Sequence, residues 1–178
     1  MLDPVFSLTL ALLLTTLLWH AAVGKLGARA EFRAVLDAYD LLPPALNAVL
    51  SLLLPVGEGL SGLALLFSRT RPLGGLAAGA LFAVYGLAMA VNLARGRRDL
   101  DCGCAGPGER RPITGYMVWR NAGLSLAGLA LAAGTAPRLL TPGDGATVLG
   151  AVLGFALLYL TLDRLYTHPA AGHGVDPR

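Results

Sequence analysis

Two cysteines separated by a single glycine are the residues of this chain best suited to chemistry. Cys102 and Cys104 are the only cysteines in 178 residues, and they lie in the stretch Asp101-Cys102-Gly103-Cys104. A disulfide needs Cα atoms about 4.4 to 6.8 Å apart, and Gly103 permits the tight turn that this spacing requires. The ring that closes is small and strained, which favours thiol-disulfide exchange over a structural role.

The cysteines lie in a polar segment, 95–112, whose charges bear on their reactivity. Positive charge nearby stabilises a thiolate, whereas the acids Asp99, Asp101 and Glu109 oppose that effect. The sequence therefore leaves the direction of any shift in the thiol pKa open. The arginines of the segment are Arg95, Arg97, Arg98, Arg110 and Arg111.

Three interpretations of the cysteine pair remain open at this point. It can be a redox-active dithiol that exchanges with a thioredoxin-like partner. It can bind a soft metal such as Cu(I), although a tetrahedral zinc site would need two more ligands, and the histidines show no ligand spacing. It can also be a structural disulfide or two inert thiols.

The composition indicates that these cysteines are carried by an integral membrane protein. The chain is 55% hydrophobic and 14% charged, against about 25% charged residues in soluble domains. Its mean hydropathy is +0.63. The net charge of +3 does not point to nucleic acid, because arginines of membrane proteins gather in loops that set topology. The lipid bilayer is the expected surrounding.

The hydrophobic pattern predicts an all-α bundle of four to five transmembrane helices in one domain, 1–168, with a flexible tail at 169–178. Residues 25–42 place Phe32, Val35 and Tyr39 on one face among charged residues, which predicts a short interfacial helix after the first span. Pro4 suits the first turn of the first span. The predicted spans are 5–24, 45–67, 73–94, 114–134 and 146–163.

A carboxylic acid interrupts the second predicted span. Glu58 lies three residues after Pro55, where a kink is expected. Because a carboxylate in a bilayer is unfavourable, Glu58 should face the bundle interior, protonated or hydrogen-bonded. Two roles are open for it: a structural polar contact between helices and a proton relay.

The distribution of charge and the chemistry of the cysteines point to opposite faces of the membrane. With five spans, the cysteine segment shares a side with most of the basic residues, and the other side holds Arg69, Arg71 and Arg138. The positive-inside rule then predicts a cytoplasmic cysteine segment. Disulfide chemistry belongs instead to the oxidising face.

Several short motifs occur together in this chain. The first set is the run Asn92-Leu93-Ala94-Arg95-Gly96-Arg97, then Asp101-Cys102-Gly103-Cys104, then Arg120-Asn121 in the next span. This combination resembles the methylamine utilisation protein MauE family. The element Pro55-Val56-Gly57-Glu58, with Gly62, resembles the wider DoxX-like group of small membrane proteins.

The resemblance implies a multi-pass protein of the cytoplasmic membrane. Such a protein would serve in processing, transport or maturation of the disulfide-rich small subunit of methylamine dehydrogenase, or of other extracytoplasmic proteins, beside a thioredoxin-like protein. It implies Cys102 and Cys104 as the redox pair. The supporting motif positions, whose roles are unassigned, are Asn92, Arg95, Arg97, Asp101, Gly103, Arg120, Asn121 and Glu58.

Other functions stay open beside this one. Electrons that enter or leave the bilayer would implicate a quinone between the helices near Glu58 or Arg120. A soft-metal or small-solute transporter would use the two thiols as ligands. A non-enzymatic assembly factor would use only the helix faces, and its function would survive replacement of both cysteines.

Overall fold

The computed structural model describes residues 1–103 and 111–167, and within these ranges the chain is helical and contains no β-strand. This confirms the predicted all-α fold with a short helix after the first span. Cys104 and the predicted tail, 169–178, lie outside the described residues. The helices are α1 (Pro4–Gly27), α2 (Arg29–Tyr39), α3 (Pro44–Leu66), α4 (Arg71–Ala94), α5 (Gly115–Ala132) and α6 (Pro142–Thr167).

Four of the helices, α1, α3, α4 and α6, are long and apolar enough to cross a membrane. This number agrees with the predicted bundle of four to five transmembrane helices. The 18-residue α5 is not among the four, since Arg120 and Asn121 lower its hydropathy.

The helix starts follow proline and capping signals. Pro4, Pro44 and Pro72 each lie in the first turn of a helix, where a missing N–H is tolerated. The last helix begins at Pro142 rather than at the predicted 146. There the Thr141 N–H and hydroxyl donate to the Asp144 carboxylate, at 2.7 and 2.9 Å, which caps an additional first turn.

Glycines allow α4 and α5 to pack closely along most of their lengths. A Cβ at Gly75 would lie 2.6 Å from the Gly128 carbonyl oxygen, and one at Gly128 would lie 2.7 Å from the Gly79 nitrogen. The Ser125 hydroxyl also donates to the Gly79 carbonyl at 2.9 Å. Small residues at such spacing are typical of helices that pack in membranes. Because Asn121 meets Gly86 further along, α5 runs antiparallel to α4 through the same layer.

A second close contact joins α1 to α3. The Trp19 indole donates to the Gly59 carbonyl at 3.1 Å, and the Thr15 hydroxyl donates to the Gly62 carbonyl at 3.0 Å. These side chains satisfy polar groups that lipid cannot. The apolar core between α1, α3, α4 and α5 consists of Ala11, Leu14, Leu18, Leu65, Ala78, Phe82 and Leu131.

The end of the bundle remote from the cysteines is closed by the N-terminus. Leu2 pairs with the backbone of 134–136 through hydrogen bonds of 2.9 and 2.8 Å. The guanidinium of Arg138 donates to the carboxylates of Asp3 and Asp144. The hydrogen bond from Arg138 lowers the pKa of the exposed Asp3 carboxyl below its ordinary value.

The close approach of α4 and α5 generates a test of the packing. Gly128→Ala should lower the free energy of unfolding by about 1 to 3 kcal/mol, because its Cβ would overlap the backbone of Gly79. Gly123→Ala, on the open face of the same helix, should leave stability unchanged or slightly raised. Thermal unfolding in detergent, followed by circular dichroism, measures both. Equal effects of the two substitutions would contradict this packing.

Candidate functional site

The run 92–97 ends α4 in a Schellman motif. Gly96 adopts φ +78°, the left-handed conformation that favours glycine. Its N–H donates to the Leu93 carbonyl at 3.0 Å, and the Arg97 N–H donates to the Asn92 carbonyl at 3.0 Å. The motif turns the chain so that the Arg97 side chain points toward α2.

Arg97 and Arg95 bind the carbonyl oxygens at the C-terminal end of α2. The Arg97 guanidinium donates to Ala38 at 2.6 Å and to Tyr39 at 3.3 Å. Arg95 donates to the Asp40 carbonyl at 3.2 Å. Cations are favoured at helix C-termini, where the last carbonyls lack partners within the helix. The two arginines therefore fasten the end of α2 to the end of α4, and we call this contact the arginine clamp.

Asn92 supports the arginine clamp from the interior. Its side chain is fully buried, and its Oδ1 accepts a hydrogen bond from Arg97 at 3.2 Å. Its Nδ2 donates back to the Ala88 carbonyl at 3.2 Å. The amide thus holds the guanidinium in position, which gives the three motif residues of this run one common role.

The two ends of the cysteine segment meet in a short antiparallel pairing. The Cys102 N–H donates to the Arg111 carbonyl at 2.9 Å, and the Ile113 N–H donates to the Leu100 carbonyl at 2.9 Å. The Asp101 carboxylate accepts from the Gly103 N–H at 3.1 Å, which forms an Asx turn. Asp101 therefore fixes the backbone around Cys102, in addition to placing a negative charge near its thiol.

Gly103 turns the chain between the two cysteine positions. Its φ is +66°, in the left-handed region. A Cβ at this position would lie 3.2 Å from Val35 Cγ1 and 3.5 Å from the ring of Phe32, so the segment packs directly on α2. A larger residue at 103 would be strained and would push the segment away from α2.

Cys102 lies at the edge of an apolar cluster and is partly buried. Its surroundings join α2, α4, α5 and the cysteine segment into one body. The buried members of the cluster are Tyr39, Met89, Ile113 and Met117.

Glu58 lies in the interior, as predicted, and has two partners from other helices. The fully buried carboxylate accepts hydrogen bonds through Oε1 from the Lys25 ammonium and from the Tyr85 hydroxyl, the latter at 2.7 Å. The Lys25 nitrogen also lies over two aromatic rings, 4.3 Å from the Tyr85 centroid and 5.1 Å from that of Phe32. The helix α3 continues through Pro55 without interruption.

Arg120 belongs to a second buried ion cluster. Asp163 of α6 accepts from Arg120 at 2.5 Å and from Arg111 at 2.7 Å, and its side chain is 11% exposed. Beside it the rings of Tyr116 and Tyr166 stack at a centroid distance of 4.8 Å. Asp163 therefore ties the exit of the cysteine segment and α5 to α6.

Asn121 has a different role from its neighbour Arg120. It is buried, donates to the Met117 carbonyl of its own helix at 2.8 Å, and packs on Gly86 of α4. It lies in the contact between α4 and α5 rather than beside Cys102. A buried asparagine that satisfies its own helix is typical of a packing position in a membrane bundle.

The predicted site residues thus separate into three groups. The arginine clamp and the cysteine segment share one end of the bundle, Glu58 lies below them in the interior, and Arg120 lies between α5 and α6. Glu58 and Arg120, the positions considered for a quinone, each bind protein partners. No group of three or more His, Cys, Asp or Glu residues that could hold a metal occurs in 1–103 and 111–167.

Four further residues belong to this arrangement and were not predicted. Lys25 and Tyr85 contact Glu58, Phe32 lies between Lys25 and Gly103, and Asp163 binds two arginines. A usable signal existed for Lys25, because a cation in the last turn of an apolar span needs a partner, and Glu58 is the acid of the next span. For Tyr85 and Phe32 the sequence carries no such signal.

The arginine clamp predicts a local effect on α2. Arg97→Ala removes the bonds to Ala38 and Tyr39, so amide hydrogens of α2 should exchange about tenfold faster, the effect of losing roughly 1.4 kcal/mol. Arg98→Ala is the matched control, because Arg98 is exposed and forms no hydrogen bond with the described residues. Hydrogen exchange with mass spectrometry resolves the α2 peptides. Equal exchange in both variants would contradict the role of Arg97.

The sequence of this chain is similar to a known protein family and to several of its members. The family model described as methylamine utilisation protein MauE matches residues 3–134, which include α1 to α5 and the cysteine segment. A protein named methylamine utilization protein MauE from Paracoccus denitrificans is 34% identical over 93% of this chain and 89% of its own length. Proteins of that name from Methylophilus methylotrophus and Methylorubrum extorquens are 34% and 35% identical over 98% and 92% of this chain, and over 93% and 86% of their own lengths. No solved structure matches.

Proposed function

Because this chain belongs to the methylamine utilisation protein MauE family, we propose that it is a thiol-disulfide exchange protein of the cytoplasmic membrane. The exchanging pair is Cys102 and Cys104. Its substrates are the disulfides of extracytoplasmic proteins, and its redox partner is a thioredoxin-like protein. The relatives' name connects them with methylamine utilisation, so the disulfide-rich small subunit of methylamine dehydrogenase is the first substrate to test.

The observation that carries this proposal is the backbone turn at Gly103. A pair of cysteines two positions apart can close a disulfide only where the chain between them turns tightly. The left-handed φ of Gly103 and the Asx turn from Asp101 supply such a turn immediately after Cys102. The turn is held in place by packing on α2 rather than by the cysteines themselves.

The proposed exchange is balanced without a further reactant. The thiolate of one cysteine attacks a sulfur of the partner disulfide, and a mixed disulfide forms as the other partner sulfur leaves as a thiolate. The second cysteine then attacks the mixed disulfide. The pair ends as the Cys102–Cys104 disulfide, and the partner leaves as a dithiol that carries the two electrons. The reverse sequence oxidises the partner.

The arginines around the cysteines have a structural role that bears on sidedness. Arg95 and Arg97 bind α2, and Arg111 binds Asp163. Their positions are therefore accounted for by contacts of the fold, beside any influence on topology. We place the cysteine segment on the extracytoplasmic face, where oxidised substrates are found, against the simple expectation of the positive-inside rule.

Trapping variants test the exchange directly. Cys102→Ser and Cys104→Ser each remove one thiol, so the variant that keeps the attacking cysteine should accumulate a mixed disulfide with a thioredoxin-like protein. Non-reducing electrophoresis and mass spectrometry of the excised band identify the partner. The double variant controls for other contacts and should trap nothing.

The results also separate the alternative functions. A mixed disulfide from neither single variant would contradict exchange. Unchanged function of the double variant in cells would favour an assembly factor. Binding of Cu(I) by the reduced chain, with loss of binding in both single variants, would favour a soft-metal role for the pair.

A further inference from the structure

A buried acid of α3 and a buried base from the last turn of α1 form an ion pair inside the bundle. Glu58 on α3 has 0% exposure and Lys25 on α1 has 7%. Both of the observed hydrogen bonds to the carboxylate go to Oε1, from Lys25 and from Tyr85. The second oxygen, Oε2, is buried and accepts no hydrogen bond from the described part of the chain.

Within 1–103 and 111–167, Lys25 is the charged group that contacts the Glu58 carboxylate. The Tyr85 hydroxyl of α4 also donates to the carboxylate, and the ring of Phe32 on α2 lies against the Lys25 ammonium. Arg29 of α2 binds Ser51 and Ala48, which lie about two to three turns before Glu58 on α3. The faces of the aromatic rings attract the ammonium, but they carry no negative charge that could replace the Glu58 carboxylate. The charges of Glu58 and Lys25 therefore depend on each other.

We propose that Glu58, Lys25 and Tyr85 form a proton-binding site. Two charges enclosed in an apolar bundle carry a desolvation penalty of several kcal/mol each, which their mutual attraction offsets only in part. Oε2 keeps a lone pair that can accept a proton. One proton taken up there leaves Glu58 neutral and Lys25 charged, and one proton moved from Lys25 to Glu58 leaves both neutral.

The enclosure of the site identifies the ligand. The Glu58 residue has 0% exposure, and its partner Lys25 lies against the rings of both Tyr85 and Phe32. A larger cation or solute would have to displace the Lys25 ammonium from both rings. A proton needs no such displacement, because it can bind at Oε2 or pass from Lys25 to the carboxylate along their hydrogen bond.

The site also contacts the cysteine segment through one side chain. The centroid of the Phe32 ring lies 5.1 Å from the Lys25 nitrogen. A Cβ at Gly103 would lie 3.5 Å from the same ring, at van der Waals distance. If the proposed exchange function holds, a disulfide forms next to Gly103, which packs on Phe32. We therefore expect proton binding at Glu58 to depend on the redox state of the cysteines.

Infrared difference spectroscopy of the full-length chain in lipid, recorded across a pH titration, tests the site. A carboxylic-acid C=O band that titrates should be lost in Glu58→Gln and retained in Glu31→Gln, whose exposed side chain makes it the matched control. In Lys25→Met the band should already be present at neutral pH, because a buried carboxylate without its counter-ion takes up a proton.

Tyr85→Phe keeps both charges and is the variant to use where Glu58→Gln fails to fold. It removes one hydrogen bond donated to the carboxylate, which favours the protonated acid, so the midpoint of the band should move to higher pH. A titrating band that is identical in wild type, Glu58→Gln and Glu31→Gln would overturn the proposal and leave a static ion pair. A midpoint unmoved by Tyr85→Phe would overturn it as well.

The coupling between the cysteines and proton binding at Glu58 is measured by comparing the pH midpoint of the band in oxidised and reduced protein. The midpoint should differ between oxidised and reduced protein, and Phe32→Leu should shrink that difference by at least half. Equal midpoints in both redox states would overturn the coupling. The titration of Glu58 in a Cys102→Ser/Cys104→Ser background does not depend on exchange, so failure of the proposed function and failure of the proton site are distinguishable.

Discussion

The hydrogen bonds from Arg97 to the last carbonyls of α2 are the contact on which the site depends. A helix that ends within a bundle leaves carbonyl oxygens without partners, and a guanidinium supplies several donors from a single side chain. Arg97 reaches them only because Gly96 turns the chain at the end of α4. With α2 held there, Phe32 and Val35 form the surface that carries Gly103, and so the position of Cys102 follows from the clamp.

A second constraint shapes the interior: the charged groups placed among apolar helices are paired with opposite charges or hydrogen-bonded. Lys25 with Glu58 joins α1 to α3, Asp163 joins two arginines to α6, and Arg71 donates to the Leu65 carbonyl and to Ser7. The contacts of Lys25 with Glu58, of Asp163 with its arginines and of Arg71 with Ser7 link parts of the chain that are far apart in sequence. Because an unpaired charge in such surroundings is strongly unfavourable, the same contacts select one arrangement of the helices. The charged residues of the interior therefore help to fix how the helices pack.

The elements could be predicted from the sequence, and most of their contacts could not. Long apolar runs after prolines located α1, α3 and α4 to within about three residues at either end, and an acid within an apolar span predicted the interior position of Glu58. Its partners come from other helices, so Tyr85 was not predictable from local pattern. The motif around Arg97 was found without a role, because its role is a contact with a helix more than 50 residues earlier. The first turn of α6 was predicted as a loop, since a polar capping box resembles a turn.

The central claim is that Cys102 and Cys104 form an exchange-active pair presented on the outer face of the cytoplasmic membrane. Intact cells can be divided, with one half treated with a membrane-impermeant oxidant and the other with an impermeant reductant, and both then labelled with an impermeant thiol reagent of known mass. The account predicts label on both cysteines in the reduced half and on neither in the oxidised half. Label that appears only after the cells are opened, or equal labelling of the two halves, would contradict it.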